Sequence, residues 1–216
     1  MAVYLPNGST LQIATGFAGV KTMSAVSNAN PAVATLAASH GVVDNDILLV
    51  TSGWSRLNNR VVRAGTVSTN DVPLLGIDSS DTSVYPASGG VGTVNEISGW
   101  QQIQQVLGFE PSGGDQQHHN YQFLEDDDER QLPTVRSPTS ISIKVADDIS
   151  LPWYAYADTA DQARTITVLR VLLKNGGVIY YTGILSLNRT PNLTVNQVAA
   201  LDMTFSLQAA VTRYAA

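Results

Sequence analysis

The tightest constraint on this chain is a two-residue period that runs through its C-terminal third. In residues 140–146, Ile141, Ile143 and Val145 alternate with Ser142 and Lys144. A strand presents successive side chains to opposite faces, so this pattern predicts a half-buried strand. Residues 200–212 repeat it, with Leu201, Met203, Phe205 and Leu207 directed inward and Asp202, Thr204, Ser206 and Gln208 outward. Between them, residues 165–173 are rich in β-branched side chains and apolar on both faces, as a central strand requires. Lys174-Asn175-Gly176-Gly177 follows, where Asn-Gly supplies the positive φ angles of a tight hairpin. Residues 178–187 form the returning arm, with Gly183 marking a bulge or a close backbone approach. An antiparallel meander results.

Only one segment reads clearly as helix. Residues 154–164 follow Pro152 and contain Ala155, Ala157, Ala160 and Ala163, with Trp153, Tyr154 and Ala157 as the buried stripe. Residues 99–107 place Ile103, Val106 and Leu107 at helical spacing but fit a strand better. Residues 20–94 carry short β-rich runs at 33–37, 47–50, 61–67 and 72–77, separated by Asn, Asp, Gly and Pro turns. Such close spacing predicts a small barrel. Residues 110–138 are polar and without clear periodicity, either a long functional loop or a hairpin projecting from the body. The expected fold is mainly β: an antiparallel β-sandwich or barrel with one flanking α-helix, plus a small β-barrel module near the N-terminus. The expected division is 1–19 as the first strand of the main body, 20–94 as the barrel and 95–216 as the sandwich.

Composition narrows the function. Only 14% of the 216 residues are charged, 44% are hydrophobic, and cysteine is absent. That excludes simple disorder, a disulfide scaffold and thiol chemistry. A net charge of −6 argues against gripping nucleic-acid phosphates. The first eight residues show neither a basic nor an apolar leader segment, and no apolar run approaches the roughly 20 residues of a membrane helix.

Catalytic and metal-binding signals are weak. Asp115, His118 and His119 precede the acidic run Glu125, Asp126, Asp127, Asp128 and Glu129. Adjacent histidines on a strand point apart, and five consecutive acids match no calcium loop, so a solvated or interface loop is the expected reading. There is no Gly-x-Ser-x-Gly elbow and no phosphate-binding glycine motif. The expectation is no catalytic residue, no metal and no cofactor. Arg56, Arg60 and Arg63 form the one local basic cluster.

The order of parts in residues 94–216 resembles the major tail tube protein of long-tailed bacteriophages. It runs Gly113-Gly114-Asp115, Phe123-Leu124-Glu125-Asp126-Asp127-Asp128-Glu129-Arg130, Leu132-Pro133-Thr134, a strand, the Ala-rich helix, Asn175-Gly176-Gly177 and a closing arm near Tyr214. The N-terminal module resembles a small barrel of phage tail proteins, also found in the first-catalytic-cysteine half-domain of ubiquitin-activating enzymes. It does so through Ala29-Asn30-Pro31-Ala32-Val33, His40-Gly41-Val42-Val43-Asp44-Asn45-Asp46, Leu57-Asn58-Asn59-Arg60-Val61, Gly76-Ile77-Asp78-Ser79-Ser80-Asp81 and Ser88-Gly89-Gly90. Without cysteine, no ubiquitin chemistry is implied.

The resemblance implies a structural virion protein made in the bacterial cytoplasm. Hexameric rings would stack into a tube that DNA traverses during ejection, alongside tape-measure, tail-tip and terminator proteins and without a membrane. On that picture Asp202, Thr204, Ser206 and Gln208 are lumen-facing candidates. Glu125, Asp126, Asp127, Asp128, Glu129, Arg130 and Arg136 are candidates for contacts between rings or subunits. The alternative is a carbohydrate- or receptor-binding β module of a tail tip, using Trp54, Trp100 and Trp153.

Overall fold

The computed structural model describes residues 7–216. The start of the expected first segment, residues 1–6, and most of the leader reading lie outside the described residues. The remainder is mainly β, with a closed antiparallel barrel, a larger folded sheet and a single helix among the described residues.

The barrel is built from β2 (Lys21–Val26), β3 (Ala32–Leu36), β4 (Ile47–Ser52), β5 (Arg60–Ala64), β6 (Asp71–Leu75) and the first half of β7 (Gly92–Ile103). Its order is β2-β3-β6-β5-β4-β7, closed by pairing of β2 with β7. Alternate residues point inward, so Met23, Ala34, Leu48, Val62, Leu74 and Val94 fill the interior. Closure removes exposed strand edges that would otherwise recruit other chains.

The second half of β7 leaves the barrel and pairs with β1 (Thr10–Phe17), starting the larger sheet. This sheet continues through β12 (Thr167–Leu172), β13 (Val178–Leu187), β14 (Ala200–Leu207), β11 (Thr139–Ala146) and β8 (Val106–Gly113). It folds over itself as a sandwich, bringing Ile141, Ile143, Met203 and Phe205 against Leu11 and Ile103. Burying a side chain such as Phe205 contributes about 1.5–3 kcal/mol. The helix α1 (Pro152–Ala163) sends Trp153 and Ala157 into the same core, with Tyr154 half-buried beside them. It begins two residues before the expected start, because proline lacks only an N–H that has no partner in the first turn. It ends at Arg164, which takes the left-handed conformation (φ 52°) and donates its N–H to the Ala160 carbonyl.

Several sequence expectations are altered. The Asn-Gly hairpin is a longer turn in which Gly176 alone has positive φ (86°), while the Asn175 side chain accepts the Gly177 N–H. The final arm breaks at residues 208–211, and β15 (Thr212–Tyr214) crosses back to pair with β13. Of the two readings of residues 110–138, the hairpin is the one the structure takes. After β8 the chain forms a hairpin of β9 (Gln116–Tyr121) and β10 (Arg130–Arg136), a separate two-stranded ribbon. Gly183 marks a close approach: a Cβ there would lie 2.3 Å from the Ser206 carbonyl oxygen.

A third apolar cluster joins barrel and sandwich. Ile47, Leu49 and Val61 on the outside of the barrel meet Ala14, Val168 and Tyr180 of the larger sheet. Arg63 lies across the Tyr214 ring, 4.4 Å from its centre. The Tyr214 hydroxyl accepts the Arg63 backbone N–H (2.8 Å) and donates to the Leu75 carbonyl (2.8 Å).

Candidate functional site

Three of the expected outward residues, Asp202, Thr204 and Ser206, lie on β14 within a broad polar face, and Gln208 follows the end of that strand. Register places Ser206 opposite Ser140, Thr204 opposite Ser142, and Asp202 opposite Lys144. On the next strand outward, Ser112 faces Ser140 and Glu110 faces Ser142. On the other side Ser186 stands beside Thr204 and Ile184 beside Ser206. Directly opposed residues of an antiparallel pair share a face, so these side chains form one surface. Thr204, Ser206 and Gln208 are exposed and Asp202 is half-buried. The Asp202 carboxylate accepts the Asn192 side-chain N–H and has Lys144 as its cross-strand neighbour. Hydroxyl groups dominate this face, and its charges, Lys144 against Asp202 and Glu110, leave it slightly negative.

The ribbon places the acidic run at its tip. All of β10 is exposed, and β9 is exposed except for half-buried Tyr121. Such strands carry no apolar face, which explains why periodicity does not reveal them. The tip is nevertheless ordered. Arg130 pairs with Asp126 at 2.6 Å and sits over the Phe123 ring, which contacts Tyr121 edge-on. The Gln122 side chain donates to the Asp126 carbonyl. Glu125, Asp127, Asp128 and Glu129 have no ion-pair partner among the described residues, and neither does Arg136. Leu124 and Phe123 are exposed there as well, an apolar tip on a charged arm.

Among the described residues, β8 ends the sheet with one edge unpaired. Between β8 and the end of β7 lies an apolar crevice of about 590 Å³, with Leu11, Ile103, Phe109, Val171 and Tyr181 in its walls. An open edge beside an apolar crevice is a template for another chain.

The remaining sequence candidates resolve differently. His118 and His119 stand opposite Pro133 and Leu132 on β9, pointing to opposite faces, and no group of three metal-ligating side chains converges among the described residues. His40 is buried; its Nδ1 accepts the Val42 N–H and its Nε2 bonds the Thr69 carbonyl, a structural role. The tryptophans do not form an exposed sugar platform. Trp54 is buried in the barrel because Gly89 and Gly90 leave room for its indole, whose N–H donates to the Pro86 carbonyl. Trp153 is in the sandwich core, and half-buried Trp100 is covered by the Arg170 guanidinium at 4.1 Å. The arginine cluster divides. Arg63 and Arg60 face β15, with Arg60 Nε donating to the Thr212 hydroxyl, and Arg56 is exposed.

These features define a β-structural subunit with an outward hydroxyl face, an open sheet edge and a projecting arm, surfaces suited to repeated self-contact. The chain belongs to the phage tail tube protein family, whose model matches residues 52–216. It is therefore a structural component of the virion tail that assembles into a tube with other tail proteins. The match takes in β5, β6 and β7 of the barrel and every strand of the sandwich except β1. No curated protein is significantly similar to the chain in sequence. No helix among the described residues is long and apolar enough to cross a membrane.

Proposed function

We propose that this chain is the major tail tube subunit, forming hexameric rings that stack around a channel through which DNA passes during ejection. The observation that carries the reading is the polar face around Asp202, Thr204, Ser206 and Gln208. DNA binds where lysines and arginines neutralise its phosphates. A wall of hydroxyl groups with Lys144 offset by Asp202 and Glu110 gives moving DNA little to hold. The face accordingly lines the lumen.

The open β8 edge and its crevice are closed by neighbours in the ring, which removes the exposed edge by symmetry. The acidic arm, with Glu125, Asp126, Asp127, Asp128, Glu129, Arg130 and Arg136, reaches a neighbouring copy. An exposed ion pair contributes only about 0–1 kcal/mol, so its effect comes from repetition along the tube. The 20–94 barrel acts as a module on the outside of a body formed by residues 1–19 and 95–216. Tape-measure, tail-tip and terminator proteins complete the tail. The subunit is made in the host bacterial cytoplasm and has no catalytic role.

Raising the concentration of the purified chain tests this reading by sedimentation and negative-stain microscopy. Tubes of constant diameter with a stain-filled channel are expected. A chain that remains monomeric at every concentration and salt would overturn it.

A further inference from the structure

The acidic arm needs a receiving surface, and the barrel side of the molecule supplies one. A cleft of about 450 Å³ opens between the loop after β4 and the 208–211 break that follows β14. Its walls are Arg56, Asn58, Arg60, Tyr85, Ala209 and Ala210, with Ser55 at the rim. The cleft is divided between polar surface, including two guanidinium groups, and apolar surface. Neither Arg56 nor Arg60 has a carboxylate within ion-pair distance among the described residues. Asp81 is close enough to feel Arg56, yet its carboxylate is turned to the Ser83 hydroxyl and N–H. Two guanidinium groups therefore flank the cleft without an ion pair among the described residues, the nearby Asp81 carboxylate being engaged by Ser83.

The arm tip has the complementary chemistry. It offers Leu124, fully exposed, directly followed by a run in which only Asp126 is paired. In the same chain the two do not meet: the arm strands pack on each other, apart from the barrel. We propose that the Arg56–Arg60 cleft receives the Leu124–Glu129 tip of a second copy of this chain. The leucine would lie on Tyr85, Ala209 and Ala210, while Asp127 and Asp128 pair with the arginines. Planar guanidinium groups favour bidentate carboxylate pairing, which fixes register as well as attraction. The inference rests on the tube reading and names the surface that the arm meets.

The absence of cysteine makes a clean test available. Arg56→Cys and Asp127→Cys are prepared as separate chains, mixed under reducing conditions, assembled and then oxidised. Both positions are exposed, so each single substitution leaves the cores intact. The expected result is a covalent dimer whose linked peptides join position 56 of one copy to position 127 of another. A second arm uses charge exchange in otherwise native chains. Asp127→Lys/Asp128→Lys raises the concentration needed for assembly about tenfold, and adding Arg56→Glu/Arg60→Glu restores it to within about threefold. Should native chains form tubes while the cross-link joins other positions and charge exchange rescues nothing, the cleft assignment is wrong and the tube stands. Native chains that form no tubes at all contradict the tube reading instead.

Discussion

Removing one hydroxyl, by Tyr214→Phe, should loosen the attachment of barrel to sandwich without disturbing either core. The ring stays, and with it the stack under Arg63 (4.4 Å) and the edge contact with Tyr180 (6.1 Å). What disappears is the hydroxyl that accepts the Arg63 N–H and donates to the Leu75 carbonyl. Each such bond has a net worth of about 0.5–1.5 kcal/mol, and their partially buried partners lose their replacement, so the cost is about 1–3 kcal/mol. For a chain of this size each kcal/mol lowers the melting temperature by about 2–4 °C. Urea and thermal unfolding of the unassembled chain read this directly. The pH dependence has a defined sign. Burial raises the Tyr214 phenol above its ordinary value, against the lowering influence of the Arg63 N–H and charge. Its contribution is full below the unfolded phenol pKa of about 10 and is lost as pH rises through the higher folded value. Tyr214→Phe should therefore flatten part of the alkaline loss, the rest coming from Tyr180 and Tyr181, which burial also raises. A Tyr214→Phe chain within about 0.3 kcal/mol of wild type, with the same alkaline profile, would refute this account of the junction.

Other substitutions separate folding from function. Gly183→Ala forces a Cβ against the Ser206 carbonyl and the Phe205 ring, and overpacking of this kind costs about 1–3 kcal/mol, measurable by urea unfolding. Ser206→Arg with Thr204→Arg should leave tubes intact, since both side chains are exposed, while virions eject DNA more slowly in a fluorescence ejection assay. Unchanged ejection would argue against a lumen position. Arg189→Ala removes ion pairs to Asp158 and Asp161 that tie the loop after β13 to the helix. Because Arg189 is about half exposed, water screens these pairs and thermal unfolding should show only a small drop in melting temperature.

Where one face of a strand meets a core, the amino-acid pattern announces it: Ile141, Ile143 and Val145, or Leu201, Met203 and Phe205, are buried as alternation requires. The helix was legible from its alanines and leading proline. Each illegible element has an identifiable physical cause. The β9–β10 arm buries neither face, so it has no period to read. The barrel-to-sandwich junction depends on Arg63 and Tyr214, 151 residues apart, a pairing that no local window contains. Trp54 follows a Ser-Gly turn that suggests exposure, yet distant Gly89 and Gly90 create the space that buries it. The lumen and arm candidates are visible as polar patterns, whereas the Arg56–Arg60 cleft proposed to receive the arm is formed only by the fold.

A cryo-electron microscopy reconstruction of tubes assembled from the native chain tests the central claim most directly. The account predicts stacked hexameric rings with Thr204 and Ser206 on the channel wall. Tubes in which those residues lie on the outer surface, or between rings, would contradict it.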